Sequence, residues 1–170
     1  RQPPLVVAMP GSADEAAAVL RVCREEGVPV VTRGAGTGLS GGALPLANGV
    51  LLNMSRMNRI LKIDRDNRLA RVQPGVITAA FQNRVKHHGL FYPPDPSSAD
   101  FSTMGGNLAE CAGGPKAVKY GVTRDYVLGL EAVLADMERV ENRLGRLAKA
   151  APARPGEREL LDRAAALQTR

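Results

Sequence analysis

Apolar positions in the first half of the chain come in short runs split by polar turns, and twice they give way to a helical spacing. Leu5 to Met9 predicts a strand. Ser12 stands three residues ahead of Glu15, the spacing of a capping box. Ala16, Val19, Leu20 and Cys23 then recur on one helical face until Gly27 stops the helix. Val28–Thr32, Gly49–Asn53 and Ile60–Ile63 predict three further strands. Asp64-Arg65-Asp66-Asn67 is a turn, and Leu69 to Gln73 returns as the second arm of a hairpin. Pro74-Gly75-Val76 breaks that arm, and Ile77 to His88 predicts a helix with Ala80, Phe81, Val85 and His88 on one face and Gly89 as its cap.

Beyond Gly89 the pattern weakens. Tyr92 to Ser102 is a loop rich in Pro, Asp and Ser, and Thr103–Gly106 and Ala112–Pro115 are glycine-bearing segments. Val127 to Leu134 predicts an apolar strand, whose edge would need a cover. From residue 137 the texture changes. Met137–Ala150 and Glu157–Leu167 predict two amphipathic helices joined by a Pro- and Ala-rich linker, a helical hairpin of no evident role. The fold class is therefore α+β over residues 1–136: a small parallel β-α-β unit, then a mixed or antiparallel sheet with flanking helices. The helical tail occupies residues 137–170.

The densest chemistry lies just after the second strand, in Arg33-Gly34-Ala35-Gly36-Thr37-Gly38-Leu39-Ser40-Gly41-Gly42. Glycine admits positive φ and lets a ligand approach the main chain, and successive bare N–H groups can curl into an anion-binding nest. The hydroxyls of Thr37 and Ser40 add donors. Such a loop suits a pyrophosphate. Its spacing matches neither G-x-G-x-x-G nor a P-loop, so the common nucleotide signatures are excluded. Three later segments have fitting residue types: Tyr92–Ser98, Thr103–Asn107, and Ala112–Gly114 with Tyr120 and Gly121.

Composition narrows the class. The net charge of +6 is divided evenly about residue 136 and forms no dense basic block, and aromatic residues make up only 4%, so nucleic acid is not an expected partner. No apolar run is long enough to span a bilayer. Cys23 and Cys111 lack metal-ligand spacing, no metal is expected, and both are read as free thiols of a reducing, cytoplasmic compartment. The chain opens on Arg and not Met, which reads as a fragment, a processed product or an internal start. His87 and His88 sit at a helix end, where the dipole favours a cation; they are read as structural. Arg33 and Arg124 are candidates to neutralise phosphate, against a default of surface charge.

Taken in order, R-G-A-G-T-G-L-S-G-G, F-Y-P-P-D-P-S-S, S-T-M-G-G-N, A-G-G-P and K-Y-G-V-T-R-D-Y-V-L-G-L-E resemble the flavin domain of the p-cresol methylhydroxylase / vanillyl-alcohol oxidase family over about residues 3–136. Within it the likeness is greatest to the FAD-binding subunits of glycolate oxidases and their D-lactate dehydrogenase relatives. The resemblance implies an FAD-binding PCMH-type domain with non-covalent FAD. Gly34, Ala35, Gly36, Thr37, Gly38, Leu39 and Ser40 would hold the pyrophosphate. Pro94, Asp95 and Ser98 would lie along the ribityl and ring end, and Thr103, Gly106 and Asn107 would continue that wall. Ala112, Gly113, Gly114, Tyr120 and Gly121 would line the ring and dinucleotide. Cys111 stands where relatives often carry a polar residue.

The resemblance further implies oxidation of small 2-hydroxy acids by transfer of a hydride to the flavin. The catalytic base and the substrate-carboxylate groups lie in a later domain of such proteins, so no catalytic residue is expected here. After Leu134-Ala135-Asp136 the sequence departs from its relatives, whose last flavin-contacting stretch, E-G-T-L-G-like, has no counterpart in residues 137–170. The expectation is the FAD-binding portion of a 2-hydroxy-acid oxidoreductase, inactive alone. A second chain would supply the rest of the flavin domain and the substrate domain, and partners would make any contact with the inner membrane. The alternative is a non-catalytic flavin-fold interaction module or a truncated gene product.

Overall fold

The computed structural model describes residues 3–133. The predicted helices of 137–170, and Leu134 itself, lie outside them. Three short parallel strands carry the first half: β1 (Val6–Ala8), β2 (Val30–Arg33) and β3 (Val50–Asn53). Their order is β1-β3-β2, with β3 in the centre, so that Val50 pairs with both Val6 and Val30. A central strand is covered on both faces, and Leu51 and Leu52, which point to opposite faces, are both buried.

Helix α1 (Ala13–Glu25) connects β1 to β2 and buries Ala16 and Cys23. Its start follows the predicted signal with one variation. The Ser12 hydroxyl accepts from the Glu15 N–H at 3.2 Å, but the Glu15 carboxylate reaches one residue further back, to the Gly11 N–H at 2.7 Å. Gly27, at φ +64°, leads the chain out of the helix. The return from β2 to β3 is the glycine loop, with no helix in it.

A single 3₁₀ turn, Met54–Arg56, follows β3 and is capped by Asn53, whose Oδ1 accepts from the Ser55 N–H at 2.9 Å. The hairpin follows as β4 (Ile60–Asp64) and β5 (Leu69–Val72), antiparallel, with an irregular register between Ile60 and Lys62. Helix α2 (Thr78–Lys86) packs on it through Phe81 and Val85, which with Val76 form a buried cluster flanked by Ile60, Ile63, Val72, Leu90, Tyr92 and Met104. The helix ends two residues short of the predicted boundary, and Ala80, placed by periodicity on the core face, is exposed. Gly89, at φ +71°, turns the chain after it.

Two segments for which the sequence predicts no helix are helical: α3 (Met104–Ala109) and the single turn α4 (Ala117–Tyr120), followed by a 3₁₀ turn over Thr123–Tyr126. Glycines 105 and 106 disguised α3, because glycine lowers helix propensity. They serve close packing: a Cβ on Gly105 would stand 2.7 Å from the Pro74 Cβ. The predicted strand from Val127 is corrected. Residues 127–133 form no strand among the described residues, and Leu128 and Leu130 are exposed. An apolar run becomes a strand only when another backbone accepts its ladder, and none of the described strands does.

Candidate functional site

The site is built on the end of β2. Leaving Arg33, the chain runs close against Thr103, so close that a Cβ on Gly34 would fall 2.2 Å from the Thr103 Oγ1. Only glycine fits. Gly36 takes φ +73°, and the Arg33 guanidinium folds back over it, its Nη2 2.4 Å from where a Cβ would stand. From Gly36 to Ser40, no backbone N–H donates to an acceptor among the described residues, and the segment is exposed. A run of free donors beside a guanidinium is the donor set that an anion such as a pyrophosphate requires. Gly38, with ordinary φ, has its nearest neighbour, Glu110, at 3.9 Å from a notional Cβ, so a side chain there would make only ordinary contact. Ser40 is engaged: its hydroxyl donates to the Glu110 Oε2 at 2.9 Å.

Between the loop and the core opens a cleft of about 420 Å³, lined by Gly34, Ala35, Ser55, Asn58, Ile60, Gly75, Val76, Ile77, Ala80 and Thr103. Its size is within the range of small-molecule sites. Sequence reasoning found its Gly34, Ala35 and Thr103 side and missed the side formed by Ser55, Asn58, Gly75 and Ile77. From the sequence Pro74-Gly75 reads only as a strand break. In the structure that glycine marks a close approach: Gly75 donates to the Met57 carbonyl at 2.7 Å, and a Cβ there would stand 2.4 Å from the Met54 carbonyl oxygen.

Helix α3 is the platform that joins the loop to the later segments. Thr103 caps it by accepting from the Gly106 N–H at 3.2 Å. Its first turn is pinned from outside, Met104 N–H to the Val76 carbonyl and Gly105 N–H to the Pro74 carbonyl, both at 2.8 Å. Asn107, 3% exposed, turns inward and donates to the Thr78 Oγ1 at 2.7 Å. Thr78, wholly buried, also meets the Ser102 hydroxyl at 2.8 Å and the Ser102 carbonyl at 3.0 Å. The Asn107 amide is therefore a structural strut in this state. Among the described residues, every buried side-chain nitrogen and oxygen has a partner.

The remaining expected residues gather at the far end of α3. Ala112 accepts at its carbonyl from both the N–H and the hydroxyl of Thr123. Gly113 accepts from the Asp95 N–H at 2.9 Å, and Gly114, at φ +89°, lies so near the Asp95 carbonyl that a Cβ would stand 2.1 Å from its oxygen. The buried Pro94 gives its carbonyl to Gln82 Nε2 at 2.7 Å. Asp95 holds Lys116 twice, through the backbone N–H at 3.1 Å and the ammonium at 3.0 Å. Partial desolvation pushes the Asp95 carboxyl up, but its hydrogen bonds to Lys116 and the Lys116 charge outweigh this and leave it below the usual carboxylate range. Ser98 accepts at its carbonyl from the Phe101 and Ser102 N–H groups, a turn role.

Tyr120 and Gly121 stand with an aromatic group, Tyr120 against Phe91 at 5.6 Å between ring centres and Tyr92 against both Phe81 and Tyr126. The Tyr126 hydroxyl donates to the Tyr120 carbonyl. Burial raises the Tyr92 phenol, against a lowering hydrogen bond from Thr123. Thus Gly34, Ala35 and Thr103 share one cleft, while Pro94, Asp95 and Ala112–Gly114 form a second group tied to it through α3. Among the described residues, no three His, Cys, Asp or Glu side chains gather as a metal site, and no helix is long and apolar enough to cross a membrane.

Known proteins resemble this chain over most of its length. Residues 4–142 match the profile of a family described as FAD binding domain. The chain is 51% identical over 146 residues to the glycolate oxidase subunit GlcD of Bacillus subtilis, covering 86% of this chain and 31% of that protein. It is 44% identical over 138 residues to a D-lactate dehydrogenase of Anaerostipes hadrus, covering 81% and 29%. Among solved structures it superposes on an alkyldihydroxyacetonephosphate synthase with a TM-score of 0.69 at 28% identity, over 76% of this chain and 24% of that one. The chain spans about three-tenths of the length of the curated relatives it matches.

Proposed function

The chain belongs to the FAD binding domain family, and from that premise we propose that it is the FAD-holding portion of an oxidoreductase acting on small 2-hydroxy acids. Its cofactor is FAD, and its fold is the PCMH-type FAD-binding domain with one parallel and one antiparallel sheet. The observation that carries the reading is the run of N–H groups from Gly36 to Ser40, unpaired among the described residues, beside the Arg33 guanidinium. In this proposal Gly34 to Ser40 hold the pyrophosphate. Thr103, Gly106 and Asn107, with Pro94, Asp95 and Ser98, fix the wall that the rest of the cofactor follows. Ala112, Gly113, Gly114, Tyr120 and Gly121 complete it.

When bound, FAD supplies two-electron acceptor chemistry. The residues of this chain bind and orient the cofactor. The small and apolar positions of the cleft, Ala35, Gly75, Val76 and Ala80, let main chain and methyl groups pack on a flat ligand. Substrate specificity for a glycolate- or D-lactate-like acid rests on the identities of the named relatives, and the groups that abstract the substrate proton belong to a further domain or a partner chain. Turnover by residues 3–133 alone is not expected.

The test is flavin retention. The full chain, incubated with excess FAD and desalted, is expected to keep visible flavin absorption, and Gly38→Asp to lose it. That position accommodates a Cβ without strain, so the loss would come from the added carboxylate and not from misfolding. A Gly38→Asp chain that retains flavin as the parent does would refute the assignment of the loop.

A further inference from the structure

Among the described residues, Glu110 sets a carboxylate against the glycine loop, and the proposed pyrophosphate reading leaves it unexplained. It lies one residue beyond α3 and aims back along the loop. Its Oε2 accepts from the Ser40 hydroxyl at 2.9 Å. Its Oε1 would stand 3.5 Å from a Cβ on Gly42, and its Cγ 3.9 Å from one on Gly38. A negative group thus covers the Gly38–Gly42 end, while the Arg33 guanidinium covers Gly36. The loop is electrostatically polar along its length.

We propose that Glu110 sets the affinity of this site by competing with the cofactor's phosphates for the Gly38–Gly42 end of the loop. Two effects follow from its position. While the Ser40 proton is given to a carboxylate, that hydroxyl has no proton to donate to a phosphate oxygen. A fixed negative charge a few ångströms from the nest also repels any second anion brought to it. Binding therefore requires the carboxylate to swing away or be borne as repulsion, and the loop gains strength at its Arg33 end and loses it at its Glu110 end. The dinucleotide is held, but less tightly than the donors alone would hold it. This inference rests on residues 36–40 being the pyrophosphate cradle.

The experiment measures dissociation constants on the full chain for FAD, ADP and riboflavin by fluorescence or calorimetric titration. The variants are Glu110→Gln, which keeps an acceptor for Ser40 but removes the charge, Glu110→Ala, and Arg33→Gln. Glu110→Gln is expected to tighten FAD and ADP about fivefold or more, with the gap narrowing as salt is added. Riboflavin, which carries no phosphate, should be unmoved. Glu110→Ala should tighten at least as much, because it also frees Ser40. If Glu110→Gln binds FAD no more tightly while Arg33→Gln binds it more weakly, the loop holds the phosphates and the role given to Glu110 is wrong. If neither variant changes any of the three constants, the placement of the pyrophosphate itself fails.

Discussion

Replacing Thr78 by Val tests whether one buried hydroxyl joins α2 to the platform under the glycine loop. The two side chains are nearly isosteric, so the change removes polarity and almost no volume. The hydroxyl at 0% exposure serves Asn107 Nδ2, the Ser102 hydroxyl and the Ser102 carbonyl. That carbonyl keeps the Thr78 N–H at 2.9 Å and suffers little. The Asn107 N–H, at 3% exposure, is left without an acceptor, and Ser102, at 4%, must find a new partner. Each buried polar group so orphaned costs roughly 1–3 kcal/mol, giving about 3 kcal/mol in all. For a chain of this size that is a fall in Tm of roughly 6–12 °C. Thr78→Ser retains the hydroxyl and should cost about 1 kcal/mol for its lost methyl. Pairing Thr78→Val with Asn107→Leu removes both members of the contact, so the double variant should be less damaged than the sum of the singles. Thermal unfolding followed by circular dichroism reads all four. A Thr78→Val chain melting within about 1 °C of the parent, or Thr78→Ser as damaging as Thr78→Val, would refute the network as the strut.

Other substitutions test the local geometry. Gly114→Ala adds a Cβ 2.1 Å from a backbone oxygen at φ +89°, and should destabilise by about 3 kcal/mol or abolish soluble expression; an unchanged melting curve would refute that fit. Cys111 holds φ +51°, where asparagine is tolerated better than cysteine, so Cys111→Asn should stabilise by up to about 1 kcal/mol in denaturant titration. Ser12→Ala removes the α1 cap and should cost about 1 kcal/mol by the same method. The lowered pKa of Asp95 makes its pairing with Lys116 stabilising above the unfolded carboxylate value of about 4, and that contribution is lost as pH falls through the lower folded value. Asp95→Asn should therefore flatten the acid limb of stability against pH, and an unaltered limb would count against the pairing.

The strands and α1 were legible because their signals are local. Ser12 with Glu15, Gly27, and the runs before Gly34 and after Gly49 each state a boundary within a few residues. The order of the sheet was not, since nothing near Val50 says that it lies between Val6 and Val30. Helix α3 was hidden because Gly105 and Gly106 lower local propensity, and the contacts that hold it, to Val76 and Pro74, come from 28 and 31 residues away in the chain. The run from Val127 failed for the complementary reason: apolar residues alone cannot supply a ladder partner. At the site, the glycine loop announced itself through composition. Gly75 and Asn58, Arg33 over Gly36, and the Ser40–Glu110 contact are facts of tertiary approach that no spacing encodes.

The position of β3 in the sheet has a consequence for how the chain assembles. Among the described strands, β1 and β2 share no ladder and each pairs only with β3, which is the last of the three to leave the ribosome. Until residue 53 has emerged, the described residues before β3 can form α1 but not this three-stranded sheet, and every ladder bond of that sheet waits on a non-local closure. Such non-local pairing is slow and leaves strand edges bare meanwhile. A ligand that orders the loop would act as a template for inserting the third strand.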